Sequence, residues 1–138
     1  MIEARIVGVD YGTKRVGLAL ADPLRMFAQP IGAFSHEECI HRLKRISKTE
    51  GLETIVIGWP LTESGEEGQA TERVQKFIDR LRNALPDVQI VKRDERYTSE
   101  MAKDRLREGG ISHTRDKKGR VDAGAAAILL EEYLAATG

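Results

Sequence analysis

From its amino terminus the chain alternates between the two hydrophobic periods that separate strands from helices. Residues 4–10 (A-R-I-V-G-V-D) are rich in β-formers and end on an acid, and residues 11–15 (Y-G-T-K-R) read as a turn. Residues 16–22 (V-G-L-A-L-A-D) form a second strand-like run, close enough to pair with the first as an antiparallel hairpin. Residues 28–34 give a third run, interrupted by Pro30, which suits an edge or a bulge. The period then lengthens. Ser35 with Glu38 three residues on has the capping-box pattern, Ile40, Leu43 and Ile46 make an apolar stripe, and Gly51 stops a helix over residues 35–50. The wholly apolar run at 54–58 (T-I-V-I-G) suits a central strand buried on both faces.

A polar loop at 59–68 leads into the clearest helix, residues 69–85, whose Ala70, Val74, Phe77, Ile78, Leu81 and Leu85 share one face. A strand at 88–91 runs into Lys92-Arg93-Asp94-Glu95-Arg96. A helix is expected over 99–108, a polar and basic stretch over 111–120, and an Ala-rich helix over 121–136 that should pack closely on its neighbours. The order β-β-β-α-β-α-β-α-α contains two strand–helix–strand crossovers, which imply parallel pairing. The opening hairpin makes the sheet mixed, and the helices should cover both of its faces.

Composition narrows this α/β reading only a little. The chain has 138 residues, enough for one domain over 1–138 with a proper core. Its 22 basic and 22 acidic residues balance to a net charge of zero, which argues against coating nucleic acid by bulk charge. A local basic rim around an acidic site is compatible with that balance. No apolar stretch is long enough for a membrane span, and residues 1–5 do not read as a signal peptide, so the expected location is the cytoplasm. Cys39 is alone and fits a small, half-buried helix residue better than a nucleophile. His36, His41 and His113 are scattered, which disfavours zinc.

Candidate chemistry gathers at the carboxyl ends of the strands, where ligands bind in open α/β sheets. Asp10 ends the first strand, Glu95 follows the fifth, and Asp122 lies near the start of the last helix. Converging carboxylates repel one another unless a cation lies among them. Oxygen ligands suit Mg²⁺ or Mn²⁺, and two such ions about 4 Å apart serve phosphodiester cleavage. Taken singly, each acid also has a plainer role: a turn former at Asp10, a solvated charge run at Glu95, a helix-dipole partner at Asp122. Gly12, Thr13, Lys14 and Arg15 put backbone N–H groups, a hydroxyl and two cations beside Asp10, and Arg96 adjoins Glu95. Lys118 and Arg120 belong to a basic run, with His113, Arg115 and Lys117, that could grip a phosphate backbone. Trp59 and Tyr97 flank the same edge and could stack on a base or pack in the core.

Four segments resemble the YqgF/RuvX family, whose members are described as pre-16S rRNA nucleases or Holliday junction resolvases. They are G-V-D-Y-G-T-K-R-V-G-L-A at 8–19, I-V-I-G-W-P-L at 55–61, D-E-R-Y-T-S at 94–99 and K-G-R-V-D-A-G-A-A-A-I-L-L at 118–130. Trp59 and Tyr97 stand where that family usually carries Leu. The resemblance implies an RNase H-like three-layer fold around a five-stranded mixed sheet, with Asp10, Glu95 and Asp122 as the metal site. It also implies a bacterial cytoplasmic nuclease that matures the 5′ end of precursor 16S rRNA, with branched DNA as the alternative substrate. The ribosomal subunit is then a further partner, and the expected state is a monomer or a weak homodimer.

Overall fold

In the computed structural model, residues 4–94 and 117–137 are described, with side chains of the last helix described from Ala123 onward. Five strands, β1 (Arg5–Tyr11), β2 (Val16–Ala21), β3 (Ala28–Phe34), β4 (Leu52–Trp59) and β5 (Gln89–Asp94), form one sheet in the order β3-β2-β1-β4-β5. The β1–β2 and β2–β3 pairs are antiparallel; β1–β4 and β4–β5 are parallel. This is the mixed sheet expected from the hairpin and the two crossovers. Pro30 falls in β3, an edge strand, next to a register shift between Leu18 and Ala19 of its partner.

Strand alternation separates two cores. Val7, Val9, Val16, Leu18, Ile55 and Ile57 point to helices α1 (His36–Thr49) and α2 (Gln69–Ala84), where they meet Cys39, Leu43, Val74, Phe77, Ile78 and Leu81. Ile6, Ala19, Ala21 and Val56 point the other way, to helix α3 (Lys117–Thr137), and meet Ala126, Ala127, Leu129, Leu130 and Leu134. The apolar run in β4 is thus buried on both faces, as its composition demanded.

Helix α3 owes its close seat to small residues on both sides. A Cβ built on Gly8 would lie 2.6 Å from the carbonyl oxygen of Ala126 and 2.9 Å from Cβ of Leu130. Only a glycine in β1 admits the helix at that distance.

Three expectations change. Ser35 caps α1, its Oγ accepting from the Glu38 N–H at 3.2 Å, but the Glu38 carboxylate turns to Arg42 Nε at 3.1 Å instead of closing the box. Strand β5 runs on to Asp94, because an edge strand tolerates charges on its side chains while its backbone pairs with β4. Helix α3 begins at Lys117 and not at Val121, so Lys118 and Arg120 lie within it, since Lys and Arg are good helix formers. The helix expected at 99–108 lies outside the described residues. No helix among the described residues is long and apolar enough to cross a membrane.

Candidate active site

Strand β1 carries Asp10 to the carboxyl end of the sheet's central strand. Ile6 and Gly8 both face α3, so Asp10, two residues beyond Gly8, shares that face. Its partner in β2 is Gly17. On β4 the position one step beyond the Val9–Ile57 pair is Gly58. The flanking strands therefore present glycines at the level of the half-buried Asp10. Glycines on both sides mark a place where another group approaches the backbone closely.

The turn after Asp10 is built just as tightly. A Cβ on Gly12 would lie 2.5 Å from the carbonyl oxygen of Arg15, so only glycine lets residues 12–15 close before Val16 pairs with Tyr11. Thr13, Lys14 and Arg15 are exposed at its tip. His36 at the start of α1 donates from Nε2 to the Gly12 carbonyl oxygen at 2.8 Å. Its ring also packs 5.0 Å from Tyr11 and 5.5 Å from Phe77, and Tyr11 and Phe77 stand 5.3 Å apart. This aromatic trio pins the turn to α1 and α2. The sequence gives no hint of it beyond the position of His36 next to a helix cap. His36→Ala removes the hydrogen bond and the packing, and is expected to cost about 1–2 kcal/mol of stability, read as a lower midpoint in thermal unfolding.

Asp122 lies on α3 one helical turn before Ala126, whose carbonyl oxygen closes on Gly8. The helix carrying Asp122, Lys118 and Arg120 is therefore the one that covers the Asp10 face. Glu95, Arg96 and Tyr97 lie outside the described residues, as do His113 and Arg115. Among the described residues, no three His, Cys, Asp or Glu side chains gather where they could hold a metal ion. The donor chemistry at Asp10 is a carboxylate oxygen, which suits a hard divalent cation.

The run 92–94 does not behave as one solvated patch. Lys92 faces the α2 side, donates to Oε1 of Gln75 at 2.7 Å and lies 4.0 Å over the Trp59 ring. Trp59 also packs against the core beneath α1 and α2, so one of its faces is already covered. Arg93 faces the α3 side, 3.6 Å from Glu132. Cys39 is fully buried, more than expected, and burial pushes its thiol up to about 12. It should resist alkylation near neutral pH until the chain unfolds, which a thiol-labelling time course checks.

Residues 4–136 match the family described as RuvX: Holliday junction resolvase. The chain belongs to the RuvX family. A protein of Salinibacter ruber named "Putative pre-16S rRNA nuclease" is 53% identical over 137 residues, covering 99% of this chain and 96% of that protein. One of the same name from Chlorobaculum tepidum is 44% identical over 131 residues, covering 94% and 92%. The solved structure of T. thermophilus RuvC in complex with a Holliday junction substrate superposes with a TM-score of 0.62 at 12% identity, over 98% of this chain and 96% of that one. A second Thermus thermophilus RuvC structure gives 0.55 at 12% identity, over 97% and 96%. At that identity the likeness carries the fold alone. The RuvX fold is RNase H-like, as the motifs implied, and nucleases are what the family description and the relatives' names have in common.

Proposed function

We propose that this RuvX chain is a nuclease, dependent on divalent metal ions, that trims the 5′ end of precursor 16S rRNA. The observation that carries this is the seat of Asp10: the carboxyl end of the central strand, between two glycines, on the face covered by the helix that bears Asp122. Asp10, Glu95 and Asp122 would hold two Mg²⁺ or Mn²⁺ ions, which suit an all-carboxylate set. Bound there, such ions supply Lewis acidity to a phosphoryl oxygen and lower the barrier to attack by water.

The chain's own groups bind and orient the substrate. The backbone N–H groups and hydroxyl of Gly12 and Thr13, with Lys14 and Arg15, present donors for phosphates beside Asp10. Arg96, Lys118 and Arg120 extend that grip along the strand. His36 keeps the turn in place and touches no substrate. The enzyme works in the cytoplasm, as a monomer or weak homodimer, on RNA alone or within a ribosomal subunit.

The relatives' shared name favours RNA, whereas the family description names a four-way DNA junction. Incubating the purified chain with each, in Mg²⁺ or Mn²⁺, separates the two. A shortened RNA 5′ extension with an intact junction is the expected result. Paired symmetric nicks in the junction with intact RNA would replace this reading with junction resolution.

A further inference from the structure

Arg93 received no role from the sequence, where it stands inside a run of charges. The sheet register gives it one. Val9, Ile57 and Lys92 lie in one row across β1, β4 and β5. One step further along each strand stand Asp10, Gly58 and Arg93, with Gly58 paired directly to Arg93. Asp10 faces α3 because Gly8 does, and Arg93 faces α3 because it meets Glu132 there. The two side chains thus rise from the same face at the same height. The strand between them contributes no side chain. With strands about 4.8 Å apart, their Cα atoms are roughly 10 Å apart, and the long arginine stem can shorten the gap.

Strand β5 carries two cations. Lys92 is committed to the opposite face, held by Gln75 and Trp59. Arg93 is the one that β5 sends to the Asp10 face. Its pairing with Glu132 is loose at 3.6 Å, and its side chain remains 34% exposed. An exposed pair of that length contributes little to stability, so the arginine can exchange the carboxylate for a better ligand at small cost. A phosphate diester, accepting from the guanidinium fork, is such a ligand.

We propose that Arg93 binds a backbone phosphate of the substrate one or two nucleotides from the bond cut at Asp10, with Glu132 holding the guanidinium ready when no substrate is present. Arg93 thereby fixes how the strand lies across the sheet. This rests on the nuclease reading but not on the identity of the metal.

The test is the salt dependence of binding of a labelled single-stranded RNA, measured in the Asp10→Asn background so that no cleavage intervenes. Arg93→Gln is expected to weaken binding about tenfold and to lower the slope of log affinity against log salt by about 0.7, the loss of one phosphate contact. Arg93→Lys keeps the charge and should retain the slope, which a purely structural role would not do. Lys48→Ala, exposed on α1, should change neither. Arg93→Gln with wild-type slope and affinity, while the unsubstituted chain cleaves RNA, would overturn the proposal and leave the nuclease reading intact. An absence of both RNA binding and cleavage by the unsubstituted chain would overturn both.

Discussion

Asp10→Asn is expected to lower the cleavage rate by about 10³-fold or more while leaving the fold intact. Asn has nearly the same shape, so the strand, its pairing with Gly17 and the packing around Gly8 should all persist. What changes is charge. A metal ion contributes several kcal/mol to stabilising the charge of a phosphoryl-transfer transition state, and each 1.36 kcal/mol is a factor of ten in rate. Losing one carboxylate of the proposed three weakens ion binding at the step where it counts most. Cleavage and thermal unfolding measured on the same preparation check both halves. Activity that survives the substitution would place the chemistry elsewhere or in a contaminant.

Gly8→Ala is expected to destabilise the fold by about 2–3 kcal/mol, a drop of roughly 10 °C in the unfolding midpoint for a domain of this size. The added carbon would meet the Ala126 carbonyl oxygen at 2.6 Å. A backbone atom in mid-helix cannot step aside, so α3 must shift as a body, and it carries most of the second core. The same shift would move Asp122 relative to Asp10. A displacement near 1 Å in a catalytic arrangement costs about 10²-fold in rate, so activity should fall even at temperatures where the variant is folded. Gly68→Ser is the control: a Cβ there meets nothing within 4 Å, and Ser is a good helix cap. An unchanged midpoint for Gly8→Ala would mean that α3 is not seated on β1 as described.

The parts of this architecture that burial dictates were legible in the residues. The apolar run in β4 announced a strand covered on both faces, and Val74, Phe77, Ile78 and Leu81 announced the buried stripe of α2. The Ala-rich stretch after Asp122 announced close packing, which Gly8 makes possible from the other side. Asp10 was visible as an acid at a strand end. Its flanking glycines were in the sequence too, but only the strand register shows that Gly17 pairs with it and that Gly58 follows the Val9–Ile57 pair on its other side.

What escaped reading depends on contacts between distant segments. His36 serves Gly12 across 24 positions, and no local pattern marks that bond. Lys92 and Arg93 looked like neighbours in one charge run. Once β5 extends to Asp94, strand alternation sends them to opposite faces, where one meets Trp59 and the other Glu132. The last helix is expected to begin at Val121 and begins at Lys117, because the charges of residues 117–120 mask a sound helix propensity.

The central claim is that Asp10, Glu95 and Asp122 act as one ion-binding unit. Calorimetric titration of Mn²⁺ into the unsubstituted chain and into Asp10→Asn, Glu95→Gln and Asp122→Asn tests it most directly. Measurable binding by the parent, lost or weakened at least about tenfold in each of the three variants, is the predicted result. Parent-like Mn²⁺ binding in any one of them, or none in the parent, would contradict it.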